Sequence, residues 1–326
     1  MLKILKYLSI CFITTCLLFA CHASTPTKLK HPPLKILAGY FVGEYPAIIA
    51  QEKGFFKAQG VDVELIHKQD IQLIQANASA GKYDGGIASL GSFIMLSATD
   101  PEIQAVMVVN ESTGADVVVA QSEVKTIADL KGKKLGANLG GFSEVFVTEM
   151  LKKANLTSDD VNLVKLEASE IPQSLKNNVI QAGHTWQPHL SEAVKSGGRI
   201  LFTSKQTPGL ILDVIGFRKE ITRARPEDVR AFVRAWLQAV NYWKANIQEG
   251  NAIISKVLKI PSNTISLEGI NLTNLAENQK FFQSSNPNSV YKTAKIYADF
   301  FIRAGNITRL PELESLFNSS FLNPPS

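Results

Sequence analysis

At 326 residues, with 45% hydrophobic and 19% charged side chains, the chain holds enough material for about two ordinary domains and lacks the polarity of a disordered protein. Its 34 basic and 29 acidic residues give a formal charge of +5. The densest basic groups, Lys131-Gly132-Lys133-Lys134 and Arg223-Ala224-Arg225, are short, which argues against a nucleic-acid partner.

The chain's 3 cysteines all fall at or before Cys21. Lys3 and Lys6 precede an apolar run from Tyr7 to Phe19, and the sequence turns polar at His22 and Ser24. The run is shorter than the roughly 20 residues of a membrane span and reads as a secretory signal peptide over residues 1–20. Leu18-Phe19-Ala20-Cys21 resembles a bacterial lipobox, in which Cys21 would receive lipid and become the new N-terminus. A cut after Ala23 is the competing outcome and would release a soluble protein. Either cut predicts work outside the cytoplasm, periplasmic or at the cell surface. Losing Lys3 and Lys6 lowers the formal charge from +5 to +3. No cysteine pair remains for an internal disulfide, so stability must come from core burial.

Residues 21–33, polar and proline-rich, read as a tether. A strand is expected over Leu34–Gly39, then a helix with Pro46 in its first turn and Gly54 near its end. The alternation in Val61–Ile66 predicts a strand, and Asp70 offers an N-cap for a helix ending near Gly81. Strand patterns restart at Asp116–Ala120 and Leu135–Asn138 and continue at Val161–Leu166, Arg199–Thr203 and Asp213–Arg218. Helical stretches separate them, which predicts parallel α/β sheets. Pro226 opens a long amphipathic helix carrying Val229, Phe232, Val233, Trp236, Leu237, Val240 and Trp243 on one face, and the remainder reads as helical.

Ligands of open parallel sheets bind beyond the carboxyl ends of the strands, so the residues following each strand are the candidates. Tyr40, Glu44 and Tyr45 follow the first strand; a ligand clamp and an ordinary helix-start carboxylate explain them equally well. The run Gly85-Gly86-Ile87-Ala88-Ser89 is expected after the third strand, where glycines admit a ligand and Ser89 either donates to it or caps the next helix. Gly140-Gly141-Phe142-Ser143-Glu144 joins a strand to a helix whose free N–H groups suit an oxyanion; a capped glycine turn is the plainer account. Trp186, beside Pro188, is either a pocket wall or core. His184 and His189 lack metal-site spacing, and no metal or cofactor is expected. A hydrolase trio of Ser143, His184 and Asp213 is conceivable on chain order, without a local motif to support it.

Several spaced segments are similar to one family. Tyr45-Pro-Ala-Ile-Ile-Ala-Gln-Glu-Lys-Gly-Phe-Phe-Lys-Ala-Gln-Gly-Val-Asp-Val-Glu resembles the opening of ABC-transporter substrate-binding proteins of the nitrate/sulfonate/taurine type, shared by the pyrimidine-binding thiamine-precursor proteins. Gly81-Lys-Tyr-Asp-Gly-Gly86, Ser112-Thr-Gly-Ala-Asp116, Leu130-Lys-Gly-Lys-Lys-Leu-Gly136 and Trp186-x-Pro188 continue the resemblance, which spans Leu34 to about Leu322. It implies a type II periplasmic-binding-protein fold: two α/β lobes with mainly parallel sheets, two crossovers near Asn110–Ala115 and Ile211–Gly216, and a helical C-terminal segment. Lobe 1 would comprise residues 34–112 and 214–326, and lobe 2 residues 113–213. Carried over by position, the ligand-facing residues are Glu44, Tyr45, Ser89, Gly141, Phe142, Ser143, Trp186 and Asp213. Gln181-Ala182 and Gln187-Pro188 stand where the family usually carries carboxylates, which leaves the ligand open among sulfonates, nitrate-like anions, taurine-like zwitterions and pyrimidines. The implied partners are an ABC permease and, through Cys21, a membrane; the protein itself is expected to be a monomer and not an enzyme. An enzyme or a sensor on the same fold are the alternatives.

Overall fold

The computed structural model describes residues 31–67, 82–309 and 312–323. The leader with Cys21, most of the tether and the helix expected from Asp70 lie outside the described residues. The chain first lays down β1 (Leu34–Ala38), β2 (Val63–His67), β3 (Gly85–Ser89) and β4 (Ile103–Ser112). It then builds a separate sheet from β5 (Val117–Ala120), β6 (Lys134–Ala137), β7 (Asn162–Lys165), β8 (Ala182–Thr185) and β9 (Arg199–Thr203). Finally it returns to the first sheet with β10 (Leu212–Arg218) and β11 (Ile270–Leu272). The sheet orders are β11-β4-β10-β3-β1-β2 and β7-β6-β8-β5-β9. Two segments, residues 113–116 and 204–211, connect the sheets.

The sheets are mixed, not mainly parallel as the alternation of elements suggested. β10 returns from the other lobe and inserts antiparallel between β3 and β4; β5 likewise runs antiparallel to both β8 and β9. Among the strands of the described residues, β1 with β2 and β3, and β6 with β7 and β8, pair in parallel. Strands formed where the chain changes lobes arrive from the opposite end, which helix–strand alternation cannot reveal.

Gly85 and Gly86 lie inside β3, not in a loop after it. A methyl group on Gly85 would stand 2.6 Å from the Gly216 carbonyl, and one on Gly86 3.2 Å from Leu37 Cβ. The glycines therefore let β3 fit between β1 and β10. The C-terminal stretch is also less purely helical than its pattern implies, because β11 adds to β4 with Ile270 opposite Ser112 and Leu272 opposite Asn110.

The helix Pro226–Ala245 buries Val229, Phe232, Val233, Trp236, Val240 and Trp243 as its spacing predicts. Phe232 stacks on Phe56 at 5.1 Å and meets Phe217 edge-on at 5.5 Å, tying this helix to the outer face of the first sheet. Among the described residues no helix is long and apolar enough to cross a membrane.

Candidate ligand-binding cleft

The first sheet brings a row of polar residues to the carboxyl ends of β1, β3 and β4. Ser89 at the end of β3 lies opposite Asp213 on β10, and Asp213 lies opposite Asn110 on β4. Asn110, buried, donates from Nδ2 to Asp213 Oδ2 at 2.9 Å. Gly43 is what allows this, since a methyl group there would lie 2.2 Å from Asn110 Nδ2. The next residue, Glu44, turns back so that its carboxylate accepts from the Gly39 N–H.

Both acids are held away from their ordinary ionisation. Burial, with the Asp213 charge adding to it, pushes Glu44 from 4.5 up to about 8 against the opposing Gly39 hydrogen bond. Burial also raises Asp213 from 3.8 to about 6, opposed by the Asn110 hydrogen bond and reinforced by Asp116. Among the described residues, no ion pair engages either carboxylate.

The second sheet supplies an aromatic wall. Phe142 opens the helix Phe142–Lys152 after β6, and half-buried Trp186 follows β8. Their ring centres lie 5.9 Å apart, with His184 5.4 Å from Trp186 and 5.8 Å from Phe142. The wall meets the first lobe at Gly91, in the helix that Ser89 caps, where an added methyl would be 3.3 Å from Phe142 Cβ.

Not every expected residue faces a ligand. Tyr45 is buried in the core, and its hydroxyl donates to the Tyr40 carbonyl at 2.8 Å. Burial and the neighbouring Glu44 push that phenol up to about 12. Ser89 acts as the helix cap, accepting from the Ser92 N–H at 3.2 Å while remaining half-buried. Gly141 is the extended N-cap residue of the Phe142 helix, preceded by Gly140 at φ +84°. Ser143 is buried, and its oxygen accepts from the Asn138 N–H at 3.1 Å while its hydroxyl lies 2.6 Å from His184 Nδ1.

The carboxylate completing a Ser143–His184 pair is Asp116, whose Oδ1 is 3.0 Å from His184 Nε2; Asp213 instead belongs to the polar row on the first sheet. Asn110 and Asp116, bonded to Asp213 and His184, are the residues of the candidate site that sequence reasoning did not single out. Asp116 stood inside the Ser112–Asp116 segment, and the only signal was its place at the junction of the lobes. A groove of about 520 Å³ bounded by Ile48, Gln51, Glu64, Leu65 and Val257 lies on the helix-covered flank of β2 and includes neither the acids nor the aromatic wall.

Two mixed sheets joined by two connections, one with polar residues at its strand ends and the other with an aromatic wall at its own, have the periplasmic-binding-protein fold. The chain belongs to the NMT1/THI5-like family, whose model matches residues 44–249. A Brucella abortus protein carrying the provisional name of a binding protein is 27% identical over 269 residues, covering 79% of this chain and 81% of that one. The 4-amino-5-hydroxymethyl-2-methylpyrimidine phosphate synthase of Saccharomyces cerevisiae is 24% identical over 213 residues, 60% of this chain and 62% of that one. The crystal structure of the periplasmic aliphatic sulphonate binding protein of Escherichia coli shares the fold, with a TM-score of 0.73 at 17% identity over 88% of this chain and 92% of that one.

Proposed function

We propose that the protein is the extracytoplasmic solute-binding component of an ABC importer, lipid-anchored through Cys21, and that it captures a small amino-bearing molecule between its lobes. One observation carries the choice of ligand: Glu44 and Asp213 are two half-buried carboxylates, the charge of Asp213 adding to the upward shift of Glu44, without an ion-pair partner among the described residues. A bare anion such as nitrate would add negative charge beside Asp213 and oppose ionisation of Glu44 further, whereas an ammonium or protonated aminopyrimidine would favour the ionised form of both acids. Phe142 and Trp186, their rings inclined at 36°, provide an apolar aromatic surface for the ligand body. Taurine-like zwitterions and aminopyrimidines satisfy both requirements, the sulfonate of the former suiting the N-terminus of the Phe142 helix. Contacts made to both lobes at once would favour the closed form.

The rival reading is an enzyme, favoured by the likeness to a pyrimidine phosphate synthase. The export signal expected from the sequence and the burial of the Ser143 hydroxyl side chain support binding without chemistry. Thermal-shift titration with taurine, ethanesulfonate, nitrate and 4-amino-5-hydroxymethyl-2-methylpyrimidine tests the proposal, since a ligand that binds the native state raises its melting temperature. One or both amino compounds should stabilise the protein, and Trp186→Ala should remove the effect. Stabilisation by ethanesulfonate or nitrate alone would reject an amine-binding cleft, and recovery of a chemically altered pyrimidine would reject pure binding.

A further inference from the structure

Asp116 is the last residue before β5, where the chain enters the second lobe, and it is bonded in two directions. Its side chain accepts from His184 Nε2 at 3.0 Å. Its own N–H donates to Ser112 Oγ at 3.1 Å, and its carbonyl accepts from the Ser204 N–H at 2.9 Å. Ser112 precedes the first connection between the lobes and Ser204 begins the second, yet their hydroxyl oxygens lie 2.8 Å apart. The Gly114 N–H, within the first connection, donates to Ser204 Oγ at 2.7 Å. Ser112, Asp116, Ser143, His184 and Ser204 are all at least nine-tenths buried. Water therefore offers these groups no easy alternative partners, and displacing one leaves another unpaired.

At its other end the same chain reaches the aromatic wall. His184 Nδ1 lies 2.6 Å from Ser143 Oγ, and Ser143 follows Phe142 directly. The His184 ring is packed among Phe142, Phe146 and Trp186. One proton arrangement satisfies every group: Asn138 N–H to Ser143, the Ser143 hydroxyl to Nδ1, and Nε2–H to the Asp116 carboxylate.

We infer that His184 and Asp116 are positioning residues that couple the ligand wall of the second lobe to the paired connections between the lobes. Movement of Phe142 or Trp186 on ligand contact is transmitted through the imidazole to Asp116 and thence to the Ser112–Ser204 pair, which sets the angle between the lobes. This rests on the two-lobed capture proposed above but not on the identity of the ligand. A hydrolase relay does not account for the geometry. Such a relay presents Nε2 to the serine and Nδ1 to the carboxylate, the reverse of the order here, and the Ser143 hydroxyl is 1% exposed.

The test measures the hinge without ligand. Nitroxide labels at Lys57→Cys and Lys176→Cys, one exposed site in each lobe, report the distance between lobes once Cys11, Cys16 and Cys21 are changed to serine. His184→Phe keeps a packed ring but removes both hydrogen bonds, and it should broaden the distance distribution at least about twofold. Ser112→Ala should do the same from the hinge end, and stands in for His184→Phe should that variant fail to fold. Thr185→Val is the control: it removes an equally buried hydrogen bond, to the Ala168 carbonyl at 2.9 Å, on the same strand but outside the chain, and should leave the distribution at its wild-type width. Wild-type widths in both His184→Phe and Ser112→Ala, or equal broadening in Thr185→Val, would overturn the inference. So would rapid labelling of Ser143 by a fluorophosphonate, which would make the chain a nucleophile's relay. Failure of the ligand screen alone would leave these distances unaffected, so the two proposals fail separately.

Discussion

In the proposed binding role, Glu44 sets stability against function in one side chain. Its folded-state value of about 8 exceeds its ordinary 4.5, so the native protein retains a proton that the unfolded chain has already lost. Stability from this group is therefore fully present below about pH 4.5 and is lost as pH rises toward about 8; Asp213, raised from 3.8 to about 6, acts in the same direction over a lower window. Melting temperatures of the ligand-free protein should accordingly fall from about pH 5 to about pH 8. Glu44→Gln keeps an acceptor for the Gly39 N–H but cannot ionise. It should flatten that slope and add on the order of 1–3 kcal/mol at pH 8, while weakening binding of amino compounds at least tenfold. Melts across the pH range, paired with calorimetric titration at one pH, measure both effects. A variant neither more stable at pH 8 nor weaker in binding would show that Glu44 is not a strained ligand group. The sequence placed Glu44 at the end of the first strand, but it could not reveal the proximity of Asp213, which lies 169 positions later in the chain.

At the scale of elements, legibility followed how local each determinant is. Pro46 and Pro226 start helices, and the hydrophobic face beginning at Val229 is buried as its period predicts, because spacing along one segment decides these. Gly85 misled because its role is set by β10, a strand brought in from far along the chain, and Gly86 because Leu37 of β1 lies against it. β11 escaped notice because three residues carry too little pattern; β4 supplies its partner.

Beyond the end of β11, Asn278 completes the edge of β4. Its Oδ1 accepts from the Val108 N–H at 2.8 Å, and its Nδ2 donates to the Val108 carbonyl at 3.0 Å. A fully buried amide side chain here takes the place of a neighbouring strand. Asn278→Leu should leave the Val108 N–H unpaired and cost about 2–4 kcal/mol, read as a shift in the urea midpoint with an unchanged slope. A loss below about 0.5 kcal/mol would mean that another group or water replaces the amide.

For the whole molecule, connectivity and core point to cooperative unfolding despite two sheets. Strands of the first sheet come from before residue 113 and after residue 211, so that sheet cannot close until the inserted segment brings β4 and β10 together. One buried cluster includes Leu34, Ile36 and Val214 of the first sheet as well as Val118, Leu135 and Phe146 of the second lobe. A smaller cluster, around Val117, Val119, Ile171 and Ile180, is confined to the far face of the second sheet. Loss of the second lobe would therefore expose core that belongs also to the first. Scanning calorimetry of the ligand-free protein should show a single transition with equal calorimetric and van't Hoff enthalpies. Two resolved transitions, one abolished by Ile171→Ala, would instead assign an independent stability to the second lobe, and the continuous cluster would not be what holds the halves together.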